Sequence, residues 1–239
     1  MDITLDHQFF VSLLQIIWID ILLSGDNAVV IALACRSLPG RQRKWGIICG
    51  AGAAIALRVL FATFVVFLLS VPYLKIVGSL LLFWIAVKLL TEDETEGKIR
   101  ETERVWHAVQ TIAVADAVMS LDNVLAIAAV AQGSWFLITL GLAISIPLVI
   151  AGATLLMALT ERFPIFVWAG AGLLGWVAGD MLMSDPWLVD EIGHDAAHAM
   201  ELPIAAAGAL LVIGVGHMLR RRARQRLEAA EAQPHLPHG

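Results

Sequence analysis

Seven apolar runs, most of them about 20 residues or longer, leave this chain few ways to fold. They cover about 9 to 35, 45 to 69, 72 to 90, 105 to 131, 135 to 159, 164 to 183 and 202 to 219. Inside a bilayer no water satisfies a stray amide or carbonyl, so runs of this length fold as spanning helices. Composition agrees: 59% of the 239 residues are hydrophobic, 15% are charged and mean hydropathy is +0.80, too apolar for an ordinary soluble domain. The expected class is all-α, a polytopic membrane protein whose constant partner is the lipid bilayer. A net charge of −5 lies in loops, tail and a few intramembrane positions and suggests no nucleic-acid partner. The first run lacks a basic flank and a small-residue cleavage pattern, so it reads as a retained span and not a signal peptide.

Basic residues set the expected orientation. They gather in the first loop (Arg36, Arg41, Arg43, Lys44), the third (Lys98, Arg100, Arg104), the fifth (Arg162) and the tail (Arg220, Arg221, Arg222, Arg224, Arg226). Placing these in the cytoplasm gives seven spans with the N-terminus outside and the C-terminus inside. Cys35 and Cys49 flank the first basic loop, on the reducing side, where no disulfide is expected. Residues 1–220 read as one transmembrane domain and 221–239 as a basic, disordered cytoplasmic tail. Pro72, Pro164 and Pro203 fall near span starts, whereas Pro147 sits mid-span and should bend the fifth helix.

Charge inside the runs is the second constraint. The first contains Asp20-Ile-Leu-Leu-Ser24-Gly25-Asp26-Asn27, and 96 residues later the fourth contains Asp116-Ala-Val-Met-Ser120-Leu121-Asp122-Asn123. A carboxylate at a helix centre costs at least ~2.5 to 3.5 kcal/mol on insertion scales and is usually kept for pairing, proton relay or ion binding. The third and sixth runs also align, with Gly78, Trp84, Ala86 and Lys88 opposite Gly170, Trp176, Ala178 and Asp180. Two copies of three spans, about 9–90 and 105–183, must cross the membrane in opposite senses. Such inverted repeats characterise secondary transporters with a midplane site, and the run at about 202–219 stands outside them as an extra helix.

Within each motif the first aspartate, the serine and the asparagine fall at about 0°, 40° and 340° around an unbroken helix. The second aspartate shares that face only if the helix loosens, which Gly25 invites and Leu121 does not. Asp20, Asp26, Asn27, Asp116, Asp122 and Asn123 thus form an oxygen-rich set, with Ser24 and Ser120 in support. Oxygen ligands without nearby Cys or His suit hard divalent ions: Mg2+, Ca2+ or Mn2+. Surplus carboxylates allow exchange against protons. The plainer alternative is that the motifs bond helices to one another. Arg58, inside the second span, should pair with one of the carboxylates, as a structural bridge or a gating charge. Asp180 could line an exit path or simply be wet, and Lys88 can snorkel to the inner surface. His194 and His198, at i and i+4 in an acidic outer loop, offer a weak metal-ligand pattern beside the reading of a solvated loop.

The motif Ser24-Gly25-Asp26-Asn27-Ala28, its copy Ser120-Leu121-Asp122-Asn123, and Trp176 to Gly179-Asp180 resemble the integral membrane TerC family, especially its compact seven-helix YjbE-type branch. The likeness covers about residues 10 to 219. It implies a bacterial inner-membrane protein related in architecture to the LysE transporter superfamily, with members that export manganese, and it places the metal path on the six Asp and Asn positions. The leading expectation is a divalent-cation exporter, Mn2+ first, working by alternating access with protons as a candidate counter-ion and no resident cofactor. Beside it stand a Ca2+/H+ exchanger, an intramembrane aspartyl protease with Asp26 and Asp122 as its dyad, and a membrane partner that assists metal loading without transport.

Overall fold

The first apolar run folds as two helices: α1 (His7–Leu23) ends and α2 (Gly25–Cys35) begins with a bend of 52° at Ser24. Gly25 has open space about it, and Ser24, at φ −103° and ψ 7°, leaves helical geometry for one residue. The loosening anticipated at this motif is therefore present in the first copy. In the second it is absent, because α5 (Glu101–Ala131) runs unbroken through Asp116 to Asn123.

This computed structural model describes residues 7–69, 71–91, 101–131 and 134–231. Its remaining elements are α3 (Gly40–Leu69), α4 (Leu74–Thr91), α6 (Trp135–Arg162), α7 (Ile165–Met183), α8 (Pro186–Ile192) and α9 (His194–Glu231). The architecture is all-helical among the described residues. Five of these helices are long and apolar enough to cross a membrane, and the bent α1–α2 pair meets the same criterion when taken as one broken span. α5 carries two aspartates in its apolar stretch, yet its 31 residues reach about 46 Å at 1.5 Å per residue.

The surface inverts the pattern of a soluble protein. Leu14, Trp18, Leu155, Ile165 and Leu210 are each more than 60% exposed, while Asp20, Arg58 and Asp116 are at most 5% exposed. Lipid is as apolar as leucine, so the outside needs no polar cover and the inside is held by close packing and polar contacts. α1 and α2 lie against α6 as α5 lies against α3; α4 meets α7; α2 touches α7 as α5 touches α4. These pairings correspond when α1–α2, α3 and α4 are exchanged for α5, α6 and α7, although the contact of α6 with α7 has no equal between α3 and α4. The match extends to side chains. Ile16 of α1 fills the space over Gly141 of α6, and Ile112 of α5, 96 residues on, fills the space over Gly50 of α3. α9 closes the side of α7, where Gly175 and Gly208 let the two backbones approach so closely that a Cβ at either would strike the other helix's main-chain carbonyl.

Three expectations about the ends need correction. The stretch 184–201, read as a loop, is helical: Asp185 caps α8, Gly193 turns the chain at φ 87°, and α9 starts at His194. Alanines 196, 197 and 199 with Met200 and Glu201 are strong helix formers. Pro203 therefore lies inside α9 and does not start it. α9 also continues to Glu231 through an Arg-, Ala- and Glu-rich stretch of high helix propensity, so residues 221–231 extend the helix that the sequence ended near 219; His235 and His238 lie outside the described residues. α6 passes through Pro147 as one helix. Cys35, buried, and Cys49, exposed, are both free thiols.

Candidate functional site

Where α1, α3, α5 and α6 meet, a guanidinium lies between two carboxylates. Arg58 on α3 donates from Nε to Asp116 Oδ2 at 3.1 Å and from Nη2 to Asp116 Oδ1 at 2.5 Å, a two-armed grip. Its Nη1 donates to Asp20 Oδ1 at 2.5 Å and to Ser24 Oγ at 2.9 Å. The Ser24 hydroxyl lies 3.3 Å from Asp20 Oδ1, one helical turn away across the α1 break. Ser145 on α6 donates its hydroxyl to Asp20 Oδ2. Asp20 and Asp116 hold the same place in the two motifs, so one cation joins the two halves of the sequence. Burying an isolated charge is costly, and pairing with a donor at each carboxylate oxygen is what makes such a cluster tolerable.

Beside this cluster is a small cavity of about 30 Å³, lined by Asp20, Asn27, Arg58, Asp116 and Ser145 with apolar residues of α3 and α6. That is room for a water molecule or a bare ion. Asn27 is 3% exposed, and neither its Oδ1 nor its Nδ2 has a hydrogen-bond partner. A buried amide left so costs about 1 to 3 kcal/mol, so it marks either a packing fault or a ligand position. Asp26 sits in the first turn of α2, where its Oδ1 accepts the backbone N–H of Asn27 at 2.9 Å; it does not line the cavity. A carboxylate in a first helical turn is favoured by the helix dipole.

The second motif contributes unequally. Asp116 lines the cavity, but Ser120 Oγ lies 3.5 Å from the Ala117 carbonyl of its own helix. Asn123 turns to the first motif and donates from Nδ2 to the Leu23 carbonyl at 3.1 Å. That carbonyl is one the break in α1 deprives of a helical partner. The side chain of Asp122 lies outside the described residues, and so do an approach of Asp26 to Asp122 and a proton-sharing dyad between them. Asp180, on α7, does not line this cavity. Among the described residues no three His, Cys, Asp or Glu side chains converge as a metal cage, the pair His194 and His198 included; His198 Nδ1 instead lies 2.9 Å from Glu201.

Ser145 is the participant that reading the sequence did not select. The signal was slight, the one serine in an apolar span, two residues before a mid-span proline. Arg58 was expected to meet one carboxylate and meets two. A second polar anchor lies away from the cavity: Asp185, fully buried, accepts from the backbone amides of Lys75, Ile76 and Trp187, tying the start of α4 to the start of α8.

Charged groups in the interior of a bundle that turns its leucines outward define a multi-pass integral membrane protein with a polar centre. The chain belongs to the integral membrane protein TerC family, whose model matches residues 5–225. It is 36% identical over 211 residues to the uncharacterized membrane protein YjbE of Bacillus subtilis (strain 168), which covers 88% of this chain and 97% of that protein. The uncharacterized membrane protein YceF of the same organism is 28% identical over 167 residues, 66% of this chain and 65% of its own. No solved structure matches significantly.

Proposed function

We propose that this protein exports divalent metal cations, Mn2+ foremost, across the bacterial cytoplasmic (inner) membrane. The observation that carries the reading is Asn27: a buried carboxamide without a partner, facing a cavity shared with Asp20, Asp116 and Ser145. Its Oδ1 is a hard oxygen ligand beside two carboxylates, which is the chemistry a Mn2+, Ca2+ or Mg2+ ion seeks. The cavity's size and few oxygens favour the smaller ion over Ca2+, which takes six to eight ligands, and Mg2+ sheds its water reluctantly. Asp26, Asp122 and Asn123, the other acidic and amide positions of the two motifs, complete the proposed set.

Transport is by alternating access of two three-span halves in inverted orientation, with the N-terminus outside, α9 as a supporting seventh span, and protons as the counter-ion. The mirrored helix pairings and the Ile16–Gly141 and Ile112–Gly50 contacts support such a pseudo-twofold arrangement. So does the broken first span, a common device for presenting helix ends to a midplane ion. The test is cellular. Expression of the wild type should lower Mn2+ content and raise Mn2+ tolerance, and Asp26→Asn and Asn27→Ala should each abolish both effects. Unchanged Mn2+ content with wild type and variants alike would rule the reading out.

A further inference from the structure

All four oxygens of Asp20 and Asp116 are already occupied. Arg58 takes Asp20 Oδ1 and both oxygens of Asp116, and Ser145 takes Asp20 Oδ2. A cation that uses either carboxylate must compete with those donors for it. Charge gives the same answer. Two aspartates and one arginine sum to −1, and a divalent ion added between them would leave a net +1 in a site that is almost fully buried.

From this we infer that Arg58 is a tethered counter-cation, an internal competitor that holds the substrate's carboxylates in the empty carrier and must leave them when the ion binds. The inference rests on the reading of the cavity as a cation site. Arg58 suits the task because its planar fork serves one carboxylate with two arms and a second with the third donor, which a lysine ammonium cannot match. Asp26, within electrostatic range of the guanidinium, is the carboxylate left to receive it once Asp20 and Asp116 turn to the metal. The consequence is mechanistic. With Arg58 in place the two halves are clasped through Asp20 and Asp116, and one of the two buried negative charges is neutralised. With the ion in place the clasp is exchanged for a metal bridge between the same two residues. The site thus holds one cation or the other throughout the cycle, and the two carboxylates are never left buried together without one.

The full-length protein in detergent gives the test, with Mn2+ alone as the probe, followed by Mn2+ flux after reconstitution into vesicles. Removing the competitor in Arg58→Gln should lower the half-saturating Mn2+ concentration by about tenfold or more, a factor worth 1.4 kcal/mol. The same variant should lose net flux, because the emptied site is no longer compensated. If Arg58→Gln does not fold, Arg58→Lys decides the matter: it keeps the charge but not the fork, and should bind Mn2+ more tightly than the wild type. A folded variant of either kind that binds Mn2+ no better, or worse, overturns the inference while wild-type binding and flux leave the functional reading standing. Absence of Mn2+ binding in the wild type overturns the functional reading itself.

Discussion

Asn123 donates its side-chain amide to the main-chain carbonyl of Leu23, at 3.1 Å, so the second motif repairs the break that opens the first. The unbroken helix thereby serves as a splint for the broken one. Asn123→Ala leaves that carbonyl with no donor inside the bundle, at a cost of about 1 to 3 kcal/mol. Thermal unfolding in detergent should show the loss; an unchanged midpoint would mean that water or a neighbour serves the carbonyl.

Asn27 is the opposite case. Its amide has no partner, so Asn27→Leu removes an unsatisfied polar group and should leave stability unchanged or raise it by up to about 1 to 3 kcal/mol. Mn2+ binding should weaken by about tenfold or more, equivalent to 1.4 kcal/mol. Unfolding curves and equilibrium binding on the same preparation separate the two effects. A variant that is both less stable and unaltered in binding would show Asn27 to be a packing residue.

Much of this centre was legible because its residues are chemically out of place: an aspartate or arginine in an apolar run announces itself, and duplication of the motif told which ones belong together. Asp20, Arg58 and Asp116 were read for that reason. Ser145 was not, since a serine in a span has many mundane hydrogen-bonding uses and only the fold brings it to Asp20. The helix starting at His194 was hidden by its acidic composition, which looks like a solvated loop in a hydropathy reading although its alanines favour helix. The inequality of Asn27 and Asn123 has no sequence signal beyond Gly25 opposite Leu121.

The duplicated packing can be tested by size. A methyl added at Gly141 would collide with Ile16, and one at Gly50 with Ile112. Gly141→Ala and Gly50→Ala should each destabilise by about 1 to 3 kcal/mol, as overpacked cores do. Trimming the facing residue, Ile16→Val or Ile112→Val, should restore part of the loss in its own pair only, measured as coupling in double-mutant cycles. Restoration across pairs would contradict the separate contacts described above.

Asp185 offers a control outside the polar centre. It accepts three backbone amides at the starts of α4 and α8, and Asp185→Ala should cost at least the ~0.5 to 2 kcal/mol of a single lost cap. Mn2+ affinity should be unchanged, since the residue does not line the cavity. Altered Mn2+ affinity in a folded Asp185→Ala protein would link the α4–α8 anchor to the ion site.

The central claim is that the cavity between Asp20, Asn27 and Asp116 carries a divalent ion through the membrane. The direct measurement is ion uptake into vesicles holding the purified protein, with Mn2+, Ca2+ and Mg2+ supplied in turn, with and without a pH gradient. Mn2+ flux should run well above that of protein-free vesicles, Ca2+ and Mg2+ flux should be slower, an acidic vesicle interior should stimulate Mn2+ uptake, and Asn27→Ala should lose flux. Vesicles that move none of the three ions faster than protein-free controls, under either condition, would contradict the claim.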